Sequence, residues 1–236
     1  MPEKKKILFD RGVVSLNEKA YDALEDLIVT GVLAPGSQWS EAALAEKIGV
    51  GRTPTREALQ RLSYQRLVRV APRQGIFISE IDYQGQLKII QVRREIEQLV
   101  VSQAAQWANE TERQALRQIA GKLEEVKTLK DIVIYLRLHF TLTRLLGEAC
   151  RNPYAAEFYS MLQTLARRFM NLHQDGYDDF STLCDLHIRQ IEAVVSGNPA
   201  AAIASAEERN DYAENFARKV LMHLIESSRV TVRTAR

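Results

Sequence analysis

Residues 67–79, LVRVAPRQGIFIS, constrain the fold most sharply, because they interrupt a chain that otherwise reads as helix. Leu67 to Val70 and Ile76 to Ser79 are short, β-branched and alternating, and they flank a turn containing Pro72 and Gly75. That pattern predicts a β-hairpin. Three helical segments precede it. Ser15-Leu16-Asn17-Glu18 fits a capping box, after which Ala20, Leu24, Leu27 and Ile28 recur at helical spacing and Gly31 closes the helix. Pro35-Gly36 is a turn, and Ser40 opens a second helix that buries Leu44 and Ile48 and ends at Gly49. Thr53-Pro54 predicts a third start, a Thr cap with Pro at the first helical position, and Ala58, Leu59 and Leu62 face inward. Three short helices followed by a hairpin spell a winged helix-turn-helix over residues 1–80.

From Asp82 onward the periodicity is helical throughout. Six helices are predicted, at about 82–108, 111–128, 131–149, 153–173, 178–196 and 199–226, with Asp82 and Asp131 as N-caps. Breaks fall at Asn109-Glu110, Asn152-Pro153, Gln174-Asp175-Gly176 and Gly197-Asn198-Pro199. Apolar residues recur in every segment, which implies an all-α six-helix bundle over residues 81–228 with a shared core. The stripe Phe158, Met161, Leu165 and Phe169 reads as core, and Trp39 and Trp107 as packing residues. The closing SSRVTVRTAR loses the pattern, so residues 229–236 are expected to be a frayed basic tail. The fold class is therefore mainly α: a winged helix-turn-helix, then a helical bundle.

Charge is distributed unevenly over this plan. The chain as a whole nets +2, but residues 47–73 alone carry seven basic side chains against Glu57, and the remainder nets −4. The excess belongs to the third helix and the wing. Arg52 precedes that helix, Arg56 lies in its first turn, and Thr53 and Thr55 offer hydroxyls beside them. A helix N-terminus already favours phosphate, and arginine grips guanine O6 and N7 with two bonds in the major groove. Arg73 and Gln74 stand at the wing tip, within reach of the adjacent minor groove. Arg61, Arg66 and Arg69 read equally as phosphate contacts or as solubilising charge. Double-stranded DNA is the expected partner. Because one winged helix reads a single half-site, a homodimer on a palindromic operator follows.

Other classes are disfavoured. No apolar run approaches the roughly 20 residues that span a bilayer, and MPEKKKILFDRG lacks a signal-peptide core, so a cytoplasmic protein without a membrane partner is expected. Cys150 and Cys184 are far apart and read as reduced structural thiols. An all-α enzyme with an accessory DNA-binding head is one alternative, but no nucleophile–base spacing, phosphate loop or zinc-protease motif supports it. A non-sensing architectural DNA binder is another, favoured if apolar side chains pack the bundle centre shut.

The stretch PG-x-x-x-S-E-x-x-L-A-x-x-x-G-V-x-R-T-P-x-R-E-A-L-x-R-L from Pro35, followed by PRQG, resembles the N-terminal domain of GntR-family bacterial transcription regulators. The resemblance spans about residues 15–80 and implies that Arg52, Thr53, Arg56 and Gly75 contact DNA, Gly75 through its backbone. Gly51 stands where the family often has Ser or Thr, and Thr55 where an apolar residue is common.

The six-helix region resembles the FCD effector domain of the FadR branch, in its shorter VanR-like form, through VRREIE at 92–97, EACRNPY at 148–154 and H-x-x-x-I-x-A-x-x-x-G-N at 187–198. The resemblance implies a ligand-responsive regulator, more often a repressor, with an effector pocket in the bundle. It also implies a metal held by one Asp and three His. Carried over, those positions fall on His139, Thr143, His187 and Arg209, so one ligand of four is retained and no family-type metal or other cofactor is expected; a divalent metal on His139 and His187 is the weaker alternative. Arg209 in the metal's place, with Arg93, His139, Thr143 and His187, suits a small organic acid bound by a guanidinium fork.

Overall fold

A computed structural model describes residues 15–174 and 180–234. The chain divides into two compact units, one of residues up to Ile28 with Leu33–Ser79, the other of Val29–Val32 with Glu80 onward.

The first unit holds α1 (Leu16–Val29) up to Ile28, β1 (Gln38–Trp39), α2 (Glu41–Ile48), α3 (Arg52–Tyr64), β2 (Val68–Ala71) and β3 (Gly75–Ile78). Ser15 caps α1 by accepting from the Glu18 amide at 3.2 Å. Ser40 caps α2 at Ala43, and Gly49 closes it in the left-handed conformation at φ 65°. Leu24, Ile28, Leu44, Leu59, Leu62, Leu67 and Ile78 are buried within this unit. The expected hairpin is β2 with β3, in the register Val68↔Ile78 and Ala71↔Gly75. It is one strand short of the observed sheet. β1 adds to its other edge, Trp39 opposite Ile76, giving the order β1-β3-β2. Two residues are too few to leave an alternation in the sequence.

The second unit is helical among the described residues: α4 (Gln86–Trp107), α5 (Glu110–Leu129), α6 (Ile132–Ala149), α7 (Pro153–Leu172), α8 (Phe180–Val195) and α9 (Pro199–Thr234). α4 lies along α9, α5 along α8, and α6 along α7. Asn109 forms a complete capping box with Glu112, and Asp131 caps α6 at Val133 and Ile134. Asp82 does not cap α4 directly. Its carboxylate accepts from the Gly85 amide at 2.7 Å, a turn before the helix begins at Gln86.

Three other expectations change. Phe158 and Trp107 are exposed, at 54% and 55%. The inward stripe of α7 is instead Ala155, Tyr159, Leu162, Gln163 and Ala166, with Phe169 packed against Ile90 and Phe216. Finally, the backbone of α9 continues as helix to Thr234, past the expected end near 226. The expected break at Asp175-Gly176 lies outside the described residues, as do the N-terminal lysines.

Candidate functional site

Two separate groups of side chains were expected to act, one in each unit. In the first, α3 begins at Arg52, one residue before the expected cap, with Gly51 as an N-cap that makes no side-chain bond. The amides of the first turn therefore lack a capping side chain, beside the exposed side chains of Arg52 and Thr53. Thr55 is different: it is fully buried, and its hydroxyl donates to the Gly51 carbonyl at 2.9 Å. It secures the helix start from inside rather than facing outward.

Arg56 is exposed and paired. Its Nε donates to Glu41 Oε2 at 3.0 Å and its Nη2 to Glu41 Oε1 at 2.9 Å, a side-on fork between α3 and α2. At the wing, Arg73 and Gln74 are exposed in the turn, Arg73 at φ 63°, and the Gln74 carbonyl accepts from Gln38 Nε2 at 2.5 Å. Gly75 sits at φ 109°, and a Cβ there would lie 2.7 Å from the Trp39 carbonyl oxygen. Only glycine fits that approach of β3 to β1.

Two of the undecided arginines have internal work. Arg61 donates to Glu18 at 2.9 Å and lies over the Tyr21 ring at 3.9 Å; Arg69 lies over Phe77 at 4.3 Å. Arg52, Thr53, Arg56, Arg73 and Gln74 remain outward-facing.

In the second unit the bundle centre is polar. Residues at i, i+4 spacing place Arg93 and Glu97 on α4, Tyr135, His139 and Thr143 on α6, and Tyr159 and Gln163 on α7. α8 brings His187 and Gln190, and α9 brings Arg209 and Asn210. All are buried.

Glu97 organises them, and its role there was not anticipated. Its carboxylate accepts from Arg209 Nη2, from Gln190 Nε2 at 2.8 Å, from Asn210 Nδ2 at 2.9 Å and from Gln163 Nε2 at 3.4 Å. Arg93 donates to Asn210 Oδ1 at 2.9 Å, with its Nε 3.9 Å from Glu97. Burial pushes the Glu97 carboxyl up, but the Arg209 and Arg93 guanidiniums and the donated bonds outweigh it, leaving it below the ordinary value. The intrahelical spacing Arg93–Glu97 was visible in the sequence; the pairing with Arg209, 112 residues away, was not.

Arg209 also sets the state of His187. Its Nη1 lies 3.1 Å from His187 Nε2. A guanidinium only donates, so Nε2 accepts and the proton sits on Nδ1, which faces the Leu183 carbonyl and the Tyr135 hydroxyl at 3.0 Å each. Burial and Arg209 push the His187 pKa down to about 3. Burial, then His187 and Arg209, depress His139 as well. The two rings are 4.6 Å apart, edge to face. Neither ring nitrogen of His139 meets a partner among the described residues, nor does Nε of Arg209. The Thr143 hydroxyl donates to the His139 carbonyl at 2.8 Å.

This donor set does not fit a divalent metal. His187 has its Nε2 lone pair turned to a guanidinium and its other nitrogen protonated, and Thr143 is committed to backbone. Among the described residues no group of three or more His, Cys, Asp or Glu side chains could hold a metal. Among the described residues, too, no helix is long and apolar enough to cross a membrane.

Known proteins with related sequences and folds agree with this layout. Residues 16–78 match the family of bacterial regulatory proteins, gntR family, and residues 88–209 match the FCD domain. The chain is 26% identical over 183 residues to the uncharacterized HTH-type transcriptional regulator YdhC of Bacillus subtilis (strain 168), which covers 77% of this chain and 82% of that protein. It is 24% identical over 193 residues to the gluconate operon transcriptional repressor of the same organism, 78% of this chain and 77% of that one. The solved structure of E. coli McbR/YncC superposes with a TM-score of 0.76 at 19% identity, over 89% of this chain and 100% of that one, a likeness of fold.

Proposed function

Because the chain belongs to the gntR family of bacterial regulatory proteins and carries an FCD domain, it is a transcription regulator, and we propose that it acts as a homodimeric repressor on a palindromic operator, governed by a small carboxylate bound at the bundle centre. In this reading Arg52, Thr53 and Arg56 enter the major groove, while Arg73, Gln74 and the Gly75 backbone meet the neighbouring minor groove or phosphates. Thr55 supports the helix start. The chain binds and switches; it does not catalyse. The name of the gluconate operon repressor, a relative along three quarters of its length, supports repression.

One observation carries the ligand reading. His139 and Arg209 Nε are buried hydrogen-bonding groups without a partner among the described residues. Leaving such groups unmade costs about 1–3 kcal/mol each. A ligand carboxylate would accept from Arg209 Nε and from the single N–H of neutral His139 and remove most of that cost, with Arg93 in the same Glu97 network, His187 against both the guanidinium and the His139 ring, and Thr143 on the same face of α6. The apolar closure that would mark a purely architectural DNA binder is not what fills this centre.

The test is a thermal-shift screen of sugar acids, amino acids and dicarboxylates. At a concentration of 100 times Kd a ligand adds about 2.7 kcal/mol of stability. At least one carboxylate is expected to raise Tm in the wild type and to lose that effect in His139→Phe. Arg209→Ala is a poor probe, because stranding Glu97 costs about 3–5 kcal/mol. A ligand that shifts His139→Phe as strongly as the wild type would refute this site.

A further inference from the structure

The Glu41–Arg56 fork has a consequence beyond stability. Exposed ion pairs add little to folding, and both partners are solvent-accessible, with side chains 28% and 63% exposed. What the fork does control is direction. A guanidinium offers two parallel donor pairs, one side-on through Nε and Nη2, one end-on through Nη1 and Nη2. Glu41 takes the side-on pair, through 3.0 and 2.9 Å bonds. The end-on pair stays available, on a side chain whose rotamer is already chosen.

We propose that Glu41 is a positioning residue for sequence readout: by clamping Arg56 side-on, it presents the end-on fork to guanine O6 and N7 in the major groove. The inference rests on the DNA-binding reading above and goes beyond it. An unclamped arginine at this point could swing to any nearby phosphate, which also accepts a fork. The clamp opposes that swing in two ways. It removes rotamer freedom before binding, and it sets a carboxylate beside the guanidinium, where close approach of a phosphate is repelled. A carboxylate close to the duplex weakens sequence-independent attraction. Glu41 thus trades total affinity for discrimination. Its anchor is firm, since it begins α2 immediately after the Ser40 cap.

The experiment is selection from a randomised duplex library with the full-length wild type, Glu41→Gln, Arg56→Ala and the double variant, followed by anisotropy titration on the selected duplex, single-base variants of it and a scrambled duplex. Circular dichroism and melting verify that each variant is folded. The wild type is expected to enrich one guanine per half-site that Arg56→Ala no longer enriches. Preference for that guanine should fall by roughly 5- to 150-fold in Arg56→Ala, the range of a bidentate base contact. Glu41→Gln should lose much of the same preference, at that position alone, while binding the scrambled duplex several-fold more tightly. The double variant should lose no more preference than Arg56→Ala. An unchanged base profile in Glu41→Gln overturns the proposal, as does a uniform loss at every position, which would make the pair a scaffold or Arg56 a phosphate contact. A wild type that enriches no sequence would instead overturn the DNA-binding premise.

Discussion

His139 and His187 show how burial turns a residue into a stability sensor. Both imidazoles are held neutral, His187 with a pKa of about 3 and His139 well below its ordinary value. In the unfolded chain each regains a pKa near 6.5. The unfolded state therefore binds more protons below that pH, and stability falls as pH falls. Glu97 acts in the same direction further down, because its depressed carboxyl contributes stability only above the ordinary carboxylate range. The expected result is a loss of about 2–3 kcal/mol between pH 7 and pH 5.5, read by urea denaturation, with His187→Gln flattening the slope. Stability independent of pH over that interval would mean that the two rings are not held neutral. At this scale the sequence was partly legible. The resemblance sets His139, Thr143, His187 and Arg209 in one pocket; His187 meets both the Arg209 guanidinium and the His139 ring, and Thr143 lies one turn along α6 from His139. Glu97 was not recognised as their hub, because an i, i+4 pair on a helix looks the same whether it is solvated or buried.

At the scale of elements, periodicity found the helices and capping chemistry marked their ends. The Asn109 box, the Asp131 cap and the Pro153 start all fall within a residue or two of the expected breaks. What periodicity missed was phase and long-range capping. α7 presents Tyr159 and Gln163 inward rather than Phe158, since an apolar stripe one position out of register has nearly the same composition. Arg113 on α5 illustrates the second gap. Its guanidinium donates to the Ala105 and Ala108 carbonyls at the end of α4 and to the Val194 and Val195 carbonyls at the end of α8, at 2.6–3.0 Å. One cation satisfies acceptors that two helix C-termini leave open and complements both dipoles. Arg113→Ala is expected to cost about 2–4 kcal/mol in chemical denaturation, since several charge-assisted bonds are lost together, and Arg113→Lys to recover only part of it because an ammonium cannot fork. A change within 0.5 kcal/mol, as for an ordinary surface site, would remove Arg113 from the list of helix staples.

For the whole molecule, the proposed regulation requires that a carboxylate site at the bundle centre and a DNA contact at α3, which belong to different compact units, share a coupling free energy. A ligand shifts DNA affinity only by its differential affinity for the two states. A saturating carboxylate is expected to weaken operator binding by about 5- to 150-fold, and the operator to weaken carboxylate binding by the same factor. Anisotropy and calorimetry measure the two sides of that cycle. A carboxylate that binds at His139 yet leaves operator affinity unchanged would refute the regulatory role while sparing the site. The two-part plan, most of the helix breaks and the resemblance to a family could be read from the residues alone, since these depend on neighbours along the chain; the start of α4 and the end of α9 could not. Which charges meet depends on packing: Arg56 with Glu41, Arg209 with Glu97, and the Arg209 guanidinium with the lone pair of a neutral His187. Local periodicity places a side chain on a face, but its partner, its protonation and the direction it points depend on what the other helices bring to the same few ångströms.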